Sequence, residues 1–149
     1  MILREVLAKI KRPLCSLPGD RPVDAAIRLM ARHKTTALAV TEAGRPVGIF
    51  TASDIVRSYA ESGATDFRRI VLKDAMTPEP ITGHPEDHVA SAATRMTQGG
   101  IRHLPVVSEE RLFGILTVSD LMEHQSALLE GELKDLKEYI AHLHDAAHD

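Results

Sequence analysis

One octet occurs twice in this chain. GIFTASDI, Gly48 to Ile55, returns as GILTVSDL, Gly114 to Leu121, displaced by 66 residues. At the same displacement, without a gap, Val23 falls on Val89, Ala26 on Ala92, Met30 on Met96, Leu38 on Leu104, Val40 on Val106 and Arg45 on Arg111. Matching that extends over apolar positions as well as the octet means two copies of one folding unit.

Within each copy the hydrophobic period changes in the same order. A short extended segment is expected around Leu14 to Leu17 and again at Pro80 to Thr82. Val23, Ala26, Ile27 and Met30, and their counterparts Val89, Ala92, Ala93 and Met96, recur at three- and four-residue steps, which predicts a helix with one buried face. ALAV from Ala37 and HLPVV from His103 then read as strands. Turns at Glu42 to Gly44 and Ser108 to Glu110 join them to PVGIF and LFGIL as hairpins. A second helix starts near Ala52 or Val118. Each copy is therefore β-α-β-β-α in an α/β (α+β) fold, and three short strands need a second sheet to be buried against. The expected organisation is repeat 1 over 6–60, a linker over 61–71, repeat 2 over 72–125 and a C-terminal amphipathic helix over 126–149.

Composition narrows the function. No Trp, three Phe and two Tyr leave too few rings for base-stacking platforms, and 18 basic against 21 acidic residues give a net charge of −3 with no polybasic run. Nucleic acid is not an expected partner. No apolar run approaches the roughly 20 residues that cross a bilayer, and the opening MILREVLAKIKRP mixes charge among its apolar residues, unlike a cleavable signal. With the single Cys15 unable to form an internal disulfide, a cytoplasmic protein without a membrane partner is expected. There is no Walker loop, nucleophile elbow or His-Glu-x-x-His, so no catalytic residue is assigned and the chain is not expected to be an enzyme.

The element order and the duplicated strand-Gly-x-x-Thr-x-x-Asp-helix junction resemble the cystathionine β-synthase (CBS) domain family. MTPEPITGHPEDHVASAATRM, followed by GIRHLPVV and GILTVSDL, is similar to the second member of a CBS pair, while KRPLCSLPGD in the first copy departs from the pattern. The resemblance covers about residues 6 to 125. It implies a pseudo-twofold CBS pair, usually regulatory, whose clefts in many members take AMP, ADP, ATP or S-adenosylmethionine. No resident cofactor is implied. The regulated protein is unknown, and a homodimer is expected because such pairs commonly associate through their helices.

Adenosine recognition needs a slot for the base, a carboxylate for the ribose diol and donors for phosphate. Asp54 and Asp120 stand in the first turn of the second helix, with Thr51 and Thr117 three residues earlier, beside free helix-start N–H groups that favour an anion. The same Thr-x-x-Asp spacing also makes a capping box, so capping and ligand binding both remain open here. For adenine the resemblance points to Ile81 and Thr82, with Leu14 and Cys15 as counterparts; edge-strand packing is the alternative. For phosphate, Arg102 and His103 precede Leu104 and Pro105, whereas the matching Thr36 and Ala37 are uncharged and Arg57 is the base near Asp54. The better cleft is expected around Asp120, Arg102 and His103. The scarcity of bases favours AMP over a triphosphate.

Beyond the repeats, Leu129, Leu133, Leu136, Ile140 and Leu143 alternate steps of four and three, a heptad seam that either meets a partner chain or folds back on the module. His144 and His148, one turn apart, with His142, invite a metal reading, but no Cys or carboxylate set completes the shell and no metal site is assigned.

Overall fold

The computed structural model describes residues 1–63 and 66–148, apart from the side chains of 126–128 and 147–148. A short helix α1 (Leu3–Ala8) opens the chain, then β1 (Ser16–Pro18), α2 (Val23–Arg32), β2 (Ala37–Glu42), β3 (Arg45–Thr51) and α3 (Ala52–Ser62). The second half runs α4 (Leu72–Ala75), β4 (Thr77–Pro78), α5 (Val89–Gly99), β5 (His103–Ser108), β6 (Arg111–Thr117) and α6 (Val118–His148).

The duplication extends to backbone detail. β1 runs parallel to β2 with Leu17 opposite Val40, and the second copy repeats this as a single parallel bridge between Gly83 and Val106. The expected strand at Pro80 to Thr82 is thus reduced to one bridge, a residue further on. Both hairpins carry a β-bulge at the same step, Val40/Thr41 and Val106/Val107. Both turn through two residues of positive φ, Ala43 and Gly44 in one, Glu109 and Glu110 in the other. Such turns match the right-handed twist of their strands.

Each repeat has its own core, but the helices at the copy boundaries are exchanged. Leu3 and Val6 of α1 are buried with Val89, Ala92, Met96, Leu104, Val106, Leu116 and Leu121 of the second copy. Leu72 and Ala75 of α4, placed in repeat 2 by the sequence boundary, are buried with Val23, Ala26, Met30, Leu38, Val40 and Phe50 of the first. Backbone bonds lock the exchange: Leu3 N–H donates to Asp87 O and Leu72 N–H to Arg21 O, both at 2.9 Å.

Two consequences position the site. The exchange brings each post-helix linker against the other copy's hairpin, where Gly48 and Gly114 leave room for it. A Cβ on Gly48 would stand 2.8 Å from Thr77 O and collide with Met76 Sδ, and one on Gly114 would collide with Leu7. The first linker is also three residues longer: α1 matches α4 at an offset of 69 (Leu3 on Leu72), whereas the repeats from Cys15 onward match at 66.

α6 is one continuous helix, so the second helix of repeat 2 and the C-terminal helix expected from 126 are a single element. Residues 129–146 of it are exposed, so it does not fold back on the module. Among the described residues no helix is long and apolar enough to cross a membrane.

Candidate functional site

Both octets form a strand-to-helix corner whose Thr and Asp side chains close on backbone donors. At the start of α3, Asp54 accepts the Thr51 N–H at 2.9 Å on Oδ2. The two residues form a capping box there. On its other oxygen Asp54 accepts the Thr77 hydroxyl at 3.0 Å and forms an ion pair at 2.9 Å with Arg57 Nη2, which donates to Ala75 O. Only 4% of Asp54 is exposed. At the start of α6, Asp120 accepts the Thr117 N–H at 2.7 Å, and its own N–H donates to Thr117 Oγ1 at 3.1 Å. Capping, one of the two readings of the motif, is present at both corners.

The corners face two clefts. One is lined by Ile49, Thr51, Asp54, Arg57, Pro80, Ile81, Arg102 and His103 among others, with a volume of about 490 Å³. The second, about 120 Å³, is lined by Ile10, Arg12, Leu14, Cys15, Thr35, Ala37, His103, Phe113, Ile115 and Thr117 among others. The expected grouping of Asp120 with Arg102 is corrected here. Ile81, on the linker after α4, and Arg102, in the loop before β5, line the cleft of Asp54, while Leu14 and Cys15, on the linker after α1, line the cleft of Thr117, where Arg12 stands over Asp120. Small-molecule pockets run about 300–1,000 Å³, so the Asp54 cleft falls within that range and the Thr117 cleft below it.

Arg12 lines the smaller cleft. Its guanidinium grips both oxygens of Asp120, with Nη1 to Oδ1 at 2.9 Å, and Nη2 also donates to Ile115 O at 2.9 Å. Arg12 stands in the longer first linker; across the pseudo-twofold the corresponding segment, Met76 to Pro80, has no base and gives the Thr77 hydroxyl to Asp54. Burial works to raise the Asp120 carboxyl, but the Arg12 and Thr117 hydrogen bonds outweigh it and hold the group below its usual value. Arg12 was not among the sequence candidates. A base in KRPLC just before the cleft-lining Leu14 was the available signal.

The profile of the CBS domain matches residues 3–61 and 72–127. The chain belongs to the CBS-domain family. Among curated relatives, inosine-5'-monophosphate dehydrogenase of Korarchaeum cryptofilum is 35% identical over 118 residues, covering 78% of this chain. This CBS chain spans only 23% of that enzyme's length. Among solved structures, the CBS-domain protein ATU1752 of Agrobacterium tumefaciens superposes with a TM-score of 0.76 at 28% identity, covering 84% of this chain and 99% of the other. The CBS pair of protein MJ0100, in complex with 5'-methylthioadenosine and S-adenosylmethionine, superposes with a TM-score of 0.71 at 23% identity, covering 83% and 98%. At that identity the likeness carries the CBS fold alone.

The remaining candidates divide. His103 lines both clefts of the CBS pair, and its Nε2 lies 2.8 Å from Thr36 Oγ1, so these two residues meet where the copies join. Burial lowers the imidazole pKa, reinforced by the charges of Arg12 and Arg102 and opposed by Asp120. Thr82 and Pro105 lie outside both clefts; they line a separate hollow with Gly48, Pro78 and Leu112, because one step along an extended chain turns a side chain to the opposite face. Thr82 O is taken by Arg95 at 2.6 Å. Cys15 is buried, and burial raises its thiol pKa, as suits a small apolar side chain. Among the described residues no group of three His, Cys, Asp or Glu could hold a metal ion; the side chain of His148 lies outside them.

Proposed function

We propose that this CBS pair is a non-catalytic sensor that binds one adenosine-type ligand, AMP before the larger nucleotides, in the cleft of Asp54, Ile81 and Arg102. One observation carries the reading: of the two clefts at the Thr-x-x-Asp corners, the larger is the one where an apolar wall, a buried carboxylate and an exposed guanidinium converge. Ile81 and Pro80 offer a slot for a base. Asp54 sits where a ribose diol can replace the Thr77 hydroxyl, and Arg102, with Arg57, supplies donors for a phosphate. The nucleoside ligands of the MJ0100 pair support the ligand class. A regulated protein would read the change in angle between the copies, which requires the ligand to bind the two arrangements with different affinity. We place the protein in the cytoplasm.

Titration calorimetry with AMP, ATP and S-adenosylmethionine tests the reading. Arg102→Ala is expected to weaken AMP at least roughly tenfold, the loss of a charge-assisted hydrogen bond, and to leave a phosphate-free nucleoside nearly unaffected. No heat and no thermal shift with any of the three would overturn it.

A second reading has its own observation. Every oxygen of Asp54 and Asp120 already has a partner within the chain, as in a scaffold whose clefts serve packing. The same titrations separate the two.

A further inference from the structure

Residues 129–146 of α6 stand clear of the module, every one of them exposed. An isolated helix of that length is marginal in water, since nucleation is costly and propagation only weakly favourable. Yet its apolar residues are not scattered. Leu129, Leu133, Leu136, Ile140 and Leu143 are each more than half exposed and follow steps of four, three, four and three along one stripe.

We propose that this stripe pairs with α6 of a second copy of the chain as a parallel, in-register, two-stranded coiled coil over 129–143. The spacing sets the heptad frame: Leu133 and Ile140 occupy a positions, Leu129, Leu136 and Leu143 occupy d positions, and the exposed Met122 extends the d row toward the module. Of the two a positions Ile140 is β-branched, and a β-branched residue at a with leucine along d favours two strands over three or four. The frame also decides orientation. Glu132 takes a g position and Lys137 the following e position, so parallel helices bring Glu132 of each chain beside Lys137 of the other, two opposite-charge pairs flanking the Leu136 layer. Gly131 falls at f, on the outer face, where a Cβ would meet nothing within 4 Å. The weakest helix former in the segment thus sits where it interrupts no seam contact. The occupant is a second copy because the stripe and its flanking charges are self-complementary.

The inference is independent of any nucleotide. Sedimentation of the full-length chain over roughly a hundredfold concentration range is expected to show a monomer–dimer equilibrium. Lys137→Glu, which sets Glu132 against a like charge, is expected to weaken the dimer at least tenfold, and the double variant Glu132→Lys with Lys137→Glu to recover it. Gly131→Ala is expected to tighten it. Leu129→Cys and Leu143→Cys, oxidised separately, are each expected to give a cross-linked dimer, as parallel register requires. All these positions are exposed, so the module's own unfolding transition should survive every substitution. A monomer at every concentration overturns the proposal, as does a dimer indifferent to both Lys137→Glu and Leu136→Lys. Cross-linking only when the two cysteine variants are mixed overturns the parallel orientation.

Discussion

Arg12 and Asp120 are 108 positions apart in the chain and share a two-pronged ion pair beside the smaller of the two clefts. The pseudo-twofold counterpart of this contact is Thr77 donating a single hydrogen bond to Asp54. A nearly symmetric module is thereby made asymmetric: at one corner the carboxylate is held by an arginine from the opposite copy's linker, at the other by a linker hydroxyl and by Arg57 of its own helix.

Removing the linker arginine should open the second cleft. Arg12→Ala is expected to raise the stoichiometry of AMP binding from one toward two per chain. It should also cost about 1–2 kcal/mol of stability, the scale of a charge-assisted hydrogen bond discounted for partial exposure. Calorimetry and urea unfolding read the two effects separately, and an unchanged stoichiometry would show that Arg12 is not what closes the cleft.

The same pair predicts an acid limb. Asp120 is held below its ordinary value when folded, so the unfolded chain binds its proton first. The stabilisation is complete above the usual carboxylate pKa of about 3.9 and is lost as pH falls through the lower folded value. Melting temperature against pH should therefore fall less steeply below pH of about 4 in Asp120→Asn than in the parent chain.

His103 should titrate below the usual histidine range of about 6.5, because burial and the neighbouring Arg12 and Arg102 disfavour its cation. Its folded pKa is lowered, so its contribution is full above the unfolded value and declines as pH drops below it. The groups facing it are Thr36, Arg12, Arg102 and Asp120. Following its ring resonance by NMR in the parent and in Arg102→Ala checks this; the variant should titrate at higher pH.

Gly48 is held by contact. Gly48→Ala would press a methyl group on Met76 and on Thr77 O, moving the linker that supplies the Thr77 bond to Asp54. Overpacking of this kind costs roughly 1–3 kcal/mol. Thermal unfolding should register it, whereas Gly44→Asn, at a turn with open space and positive φ that Asn tolerates, should change little.

What could be read from the residues alone was whatever repeats locally. The 66-residue displacement of the octet, the helix period of Val23 to Met30 and of Val89 to Met96, and the hairpins between them are written in neighbouring residues, and the structure repeats them down to the bulge and the turn. The heptad stripe of α6 was legible for the same reason. Which side chains share a cleft was not. Ile81 belongs with Asp54, and Arg12 with Asp120, because α1 and α4 are exchanged between the two cores and carry their linkers to the opposite copy, and Arg102 meets Asp54 from the loop before β5. That exchange arises from burial of Leu3 and Leu72 against residues far along the chain, a contact between distant segments that no local spacing records. The three extra residues before Cys15 then let an arginine reach a carboxylate, and only the packed fold shows which one it finds.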